Sequence, residues 1–164
     1  MPNNDAYTME VIYMYNVDDI ANWFLNKLPN ITNKKLQKLV YYAYSWYLVL
    51  NNESTEKLDL KLFENKFEAW VHGVVYPYLY DEYKVYGSGI IPEYTGKLPQ
   101  FSDDDLDILN QVVEVYGNYT GNELESICHQ ESPWKNARGN LSTYDPSNAP
   151  IKDNDIFLCY SSRL

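Results

Sequence analysis

The side chains able to bind a metal or act as a nucleophile are few: His72, His129, Cys128 and Cys159, with Glu125 and Glu131 as further oxygen donors. Zinc sites gather such groups at short, fixed spacings. The chain has no Cys-x-x-Cys or His-Glu-x-x-His pairing. Cys128 and His129 are adjacent on an expected helix and so point roughly 100° apart. No metal and no cofactor are expected. Thiolate chemistry would need a cationic neighbour or a helix N-terminus, whereas Cys128 falls near a helix C-terminus, where the dipole raises a thiol's pKa. A buried thiol beside a surface histidine is the reading that follows. Neither a Walker loop, a dinucleotide glycine fingerprint nor a Gly-x-Ser-x-Gly elbow occurs, and the chain is expected not to be an enzyme.

Two other stretches combine large aromatics with imidazole or guanidinium groups beside Gly or Pro. They are Phe67 to Pro77, which holds Trp70 and His72, and His129 to Arg138, which holds Trp134. Aromatic and Arg clusters on loops are the material of protein-binding hot spots, because each anchor supplies much area for little rotamer entropy. The plainer reading is equally available: Trp70 and Trp134 plug the core, while His72 and Arg138 cap helix ends or pair with acids. Both readings can hold for different residues.

Periodicity supplies the elements that would position these groups. Val17, Ile20, Ala21, Phe24, Leu25 and Leu28 form one helical stripe, opened by Asn16 as cap and closed by Pro29. Thr32 caps a second helix to about Leu50. Its apolar stripe is widened by Tyr41, Tyr42, Tyr44 and Trp46 until neighbours are needed on several sides, so it is expected to be central. Leu58, Leu60 and Leu62 alternate, and a small hairpin with Phe67 to Val71 is compatible with that pattern. Pro77 suits the first turn of a short third helix ending by Gly87, and 88–101 reads as a surface loop. Ser102 with Asp105, and Thr120 with Glu123, have capping-box spacing and open two further helices, which are expected to form an αα-hairpin. Residues 134–150 read as a polar loop, with a last helix over 151–160. The expectation is a mainly α, single compact domain of about six helices over residues 17–161, with room for a small β-hairpin. Residues 1–16 form an N-terminal tail or strand, 1–7 being polar and aperiodic.

A length of 164 residues with 45% hydrophobic and 16% aromatic content suits one domain that needs neither metal nor disulfide for stability. The net charge of −10 opposes the counterion-release term of nucleic-acid binding, so no direct nucleic-acid contact is expected. The apolar run from Leu36 to Leu50 is too short and too interrupted for a bilayer span. With two cysteines and no basic-then-apolar leader, a cytoplasmic setting is expected and no disulfide framework. The Asn-x-Ser/Thr triplets at Asn30, Asn52, Asn118 and Asn140 read as chance in an Asn-rich chain.

The segments Lys38 to Tyr47, Phe67 to Tyr86 and His129 to Arg138, taken together in this order and spacing, resemble the Panacea domain, the SocA-like antitoxin or phage-associated GepA-type family. The resemblance runs from about Val17 to Tyr160. It departs at Gly73-Val74-Val75, where relatives read Gly-Pro-Val, and at Cys128, where a Thr is common. Losing that proline loosens the path before Pro77. The resemblance implies a helical antitoxin that neutralises a cognate protein toxin by direct binding. Its alternatives are a proteolytic adaptor that hands the toxin to a protease, or a phage-associated interaction protein of other purpose. An acidic, aromatic-rich surface would complement a basic toxin. On this reading Trp70, His72, Tyr78, Trp134 and Arg138 lie on or just under the partner-facing surface, with Asp81, Glu82 and Glu131 steering encounter. The same kind of surface would also serve a homodimer.

Overall fold

The computed structural model describes residues 10–164; the expectation for 1–7 lies outside them. Local caps set the helix starts. Asn16 and Asp19 form a reciprocal capping box for α1 (Val17–Lys27), and Thr32 caps α2 (Asn33–Asn51) by accepting from the Lys35 amide. α2 is buried over nearly its whole length, as the all-round aromatic pattern demands, and its neighbours include α1, the strands and most later helices.

Those later helices are α3 (Pro77–Tyr83), continued by a 3-10 turn (Lys84–Tyr86), then α4 (Asp103–Tyr116), α5 (Gly121–His129), α6 (Ser132–Arg138) and α7 (Asp153–Ser161). Two expectations need correction. The described residues form the expected mainly α domain, with seven α-helices where six were individually placed. The extra one is α6, inside a stretch read as loop: Pro133 opens it as Pro77 opens α3, and Gly139, at φ 57°, ends it. Finally, α4 and α5 do not form a helical hairpin, because each lays its apolar face on α2.

The β structure is small. β1 (Ile12–Tyr13) pairs in parallel with β2 (Leu60–Lys61), so the N-terminal segment is a strand here. A hairpin does exist, but its partners are β3 (Glu68–Trp70) and β4 (Gly73–Val75), joined by Val71 and His72, rather than the Leu58 to Leu62 region. Gly73, at φ 104°, supplies the backbone conformation that this tight return requires.

Tyrosines fill much of the core, and each buried hydroxyl must find a partner. Tyr42 donates to Glu131 at 2.6 Å, Tyr44 to Asp153 at 2.7 Å, and Tyr160 to Glu131 at 3.1 Å, while the Tyr41 and Tyr160 hydroxyls share a hydrogen bond at 3.0 Å. The Tyr42 and Tyr116 rings stack at 4.0 Å, tying α2 to α4. Ser102 accepts from the Asp105 amide as expected, but the Asp105 carboxylate does not complete a box; it accepts from the Tyr15 hydroxyl at 2.6 Å and so anchors the N-terminal strand to α4.

Candidate functional site

The two aromatic stretches singled out in the sequence meet. α5 and α6 project His129, Trp134 and Arg138 onto the backbone of the hairpin. The Trp134 indole N–H donates to the Trp70 carbonyl at 2.8 Å, and a guanidinium N–H of Arg138 donates to the Ala69 carbonyl at 3.2 Å. His129 Nε2 lies 2.8 Å from the Val71 carbonyl and must be the protonated nitrogen of that ring to bond it. Three successive carbonyls are thus served by side chains. The three donors also stack on one another: His129 lies on Trp134 at 4.2 Å, and Arg138 lies over the Trp134 ring at 4.8 Å. Arg138 reaches on to the carbonyls of Ser142, Thr143 and Asp145.

The five residues expected at a partner surface therefore divide. His72 (side chain 72% exposed) and Tyr78 (54%) face solvent. Trp70 is half-buried, its ring edge-on to Tyr80 at 5.0 Å and its indole N–H on Glu68. Trp134 and Arg138 are buried beneath the hairpin and do not reach the surface. Among the acids expected to steer encounter, Asp81 and Glu82 are exposed, but Glu131 is buried, accepting from Tyr42, Tyr160 and Arg163.

What sequence reasoning missed lies beside Tyr78, in and just beyond α3. With Tyr78, the residues Tyr80, Val85, Tyr86 and Ile90 are all exposed, Val85 at 80%. Large apolar side chains crowd this short exposed segment, as they also do at Val11 to Met14. Asp81, Glu82 and Asp18 border them. The Tyr78 hydroxyl donates to Asp18 at 2.8 Å, which fixes its ring against α1. A signal was present: in the Leu79 to Ile91 segment the apolar residues fall on more than one helical face.

Asp18 also faces Glu82. Burial, then a hydrogen bond to Asp18 and the Asp18 charge, push the Glu82 carboxyl from its ordinary 4.5 up to about 7. Its native pKa lies above the unfolded one, so its contribution to stability is complete below pH 4.5 and lost as pH rises through about 7. E82Q is expected to match the parent near pH 5 and to be more stable at pH 8. Because Glu82 is exposed, the gain is held to about 1 kcal/mol by solvent screening. Thermal melts of both proteins across that range check this.

Glu125 binds His72 at 2.5 Å and Lys34 at 3.4 Å. Burial opposes its charge, but the His72 hydrogen bond and the Lys34 ammonium outweigh that and hold its carboxyl below the usual range. Desolvation lowers the His129 pKa, which favours the neutral ring stacked on Trp134. Burial pushes the Cys128 thiol up to about 12. Its sulfur faces the Val74 amide, which a proline at that position could not offer. Among the described residues no group of three or more His, Cys, Asp or Glu side chains is placed to hold a metal ion, and no helix is long and apolar enough to cross a membrane.

Neither a curated protein nor a solved structure matches this chain. A family model does: the one described as antitoxin SocA-like, Panacea domain, matches residues 36–135, from the first buried turns of α2 to the α6 indole that clamps the hairpin, and the chain belongs to that family.

Proposed function

We propose that this protein is the antitoxin of a toxin–antitoxin pair and neutralises its cognate protein toxin by direct binding, with no chemistry of its own. The observation that carries the reading is the exposed apolar segment of α3 and the 3-10 turn, bordered by acids. Aromatic anchors at the centre with charge at the rim is the composition of a protein-binding patch. The net charge of −10 would speed capture of a basic toxin. Tyr78, His72 and Trp70 contribute at the patch or its border, while Trp134 and Arg138 act from below by holding the hairpin in place. The raised pKa of the Cys128 thiol supports a reading without nucleophilic chemistry.

Isothermal titration against the toxin encoded by the neighbouring gene is the test. Y78A and V85D change exposed side chains, and each is expected to weaken binding about thirtyfold, the cost of losing a hot spot, with an unchanged thermal midpoint. Full affinity in both variants would place the toxin elsewhere. Toxin half-life in cells is expected to be unaffected by the protein; a shortened half-life would turn the reading to delivery for proteolysis.

A further inference from the structure

We propose that the cavity between the N-terminal ends of α2 and α5 and the α3 segment binds a small phosphate ester carrying a planar ring, of mononucleotide size. The cavity has a volume of about 500 Å³, far more than an inorganic anion fills. Its walls contain lysines and a histidine and no carboxylate, in a chain that carries ten more acids than bases.

Lys38 is the residue that calls for a ligand. It lies in the middle of α2, is 1% exposed, and lines this cavity. Among the described residues its ammonium makes neither a hydrogen bond nor an ion pair; the Glu125 charge reaches it, but that carboxylate is engaged by His72 and Lys34, and Lys84 is matched by Asp81. A buried ammonium without a counter-charge is costly. The hairpin makes room for it at Gly73: a Cβ there would stand 2.6 Å from the Lys38 Cε and 3.2 Å from its Nζ, so a larger residue would displace the end of this side chain. Burial has already lowered the Lys38 pKa to about 8, which an arriving anion would reverse.

The rest of the cavity suits the remaining parts of such a ligand. Gly121 and Asn122 line it from the first turn of α5, where backbone amides have no acceptor within the helix. The N-terminal end of α2, at Thr32 and Asn33, points to the same space. Trp70 and Tyr80, edge to face at 5.0 Å, supply an aromatic wall for a flat ring. The proposal does not depend on the toxin reading, although Trp70, His72 and Tyr80 border both surfaces, and the protein alone suffices to test it.

Titrations of the full chain with AMP, inorganic phosphate, adenosine and acetate are expected to show AMP tightest, phosphate weaker, and adenosine and acetate weaker still. K38M keeps an unbranched side chain one atom shorter and removes the charge. It is expected to fold with an equal or higher thermal midpoint and to bind AMP at least about tenfold more weakly, the loss of one charge-assisted hydrogen bond. K84A, at an exposed rim position, is expected to weaken AMP a fewfold. In the parent protein, AMP is expected to shift the amide resonances of Gly121 and Asn122, a measurement that stands even if a variant fails to fold. Absence of AMP and phosphate binding at millimolar concentration, acetate binding as well as phosphate, unaltered affinity in K38M, or unshifted Gly121 and Asn122 amides would each overturn the proposal.

Discussion

Replacing Arg138 with alanine is expected to lower the unfolding free energy by about 3–5 kcal/mol, the size of effect reserved for the loss of a buried polar network. The guanidinium donates to the carbonyls of Ala69, Ser142, Thr143 and Asp145 and lies over Trp134. One planar fork therefore closes the loop after α6 and pins the hairpin to it, and alanine would leave the carbonyl of buried Ala69 without its donor and the loop after α6 without its tie. R138K is expected to recover only part of the loss, because an ammonium is a point donor and cannot span the same carbonyls. Urea denaturation checks the magnitude, and faster amide exchange around Leu141 and Asp145, whose amides bond locally, checks the mechanism. A loss below about 1 kcal/mol would mean that water replaces the guanidinium readily. Toxin binding by R138A should fall only as folding falls, unlike that of Y78A.

The second large effect is expected at Glu131. Its Oε1 accepts from Tyr42 at 2.6 Å and Tyr160 at 3.1 Å, and its Oε2 accepts from Arg163 at 2.7 Å. E131L strands the Tyr42 hydroxyl in the core and releases Arg163, with an expected cost of about 3–5 kcal/mol. R163A removes a half-exposed partner and leaves the two tyrosine donors in place, so its expected cost is smaller, about 1–2 kcal/mol. The double variant should cost less than the two singles combined, since the groups share one acceptor. Strict additivity would show that the three donors do not act through Glu131 together. The network joins α2, α7 and the segment that opens α6, so its loss should lower the midpoint of the whole domain.

The helices were legible where the information is local. Asn16, Thr32, Ser102 and Thr120 mark starts because a short polar side chain three residues before a free amide is a chemical event within one turn. α6 carried the same kind of mark in Pro133, but its polar content and short length hide the apolar stripe, and only the docking of Trp134 under the hairpin shows why it folds. The pairing of Ile12 with Leu60 was illegible because two-residue strands far apart in the chain leave no period to read. Both aromatic stretches of the site were visible by composition, yet not which side chains face water. Trp, His and Arg each have an apolar body and a polar tip, so the same letters serve a clamp under a hairpin or an anchor above it. Lys38 stood within the most buried helix of the sequence, where an isolated cation marks either a snorkelling side chain or a cavity, and only the path over Gly73 distinguishes them.

The hairpin's outer margin has one more consequence. Along β3 the Phe67 carbonyl accepts from the Ile151 amide, the Ala69 amide donates to the Ala149 carbonyl, and the next two outward carbonyls are taken by Arg138 and His129. Among the described residues these outward groups are already engaged, which leaves a foreign strand little main chain with which to extend the sheet there. Recognition at this flank falls mainly to side chains. A partner that could once have been accepted by any exposed backbone must instead match individual residues, and specificity on this face is therefore open to change by single substitutions without rebuilding the scaffold.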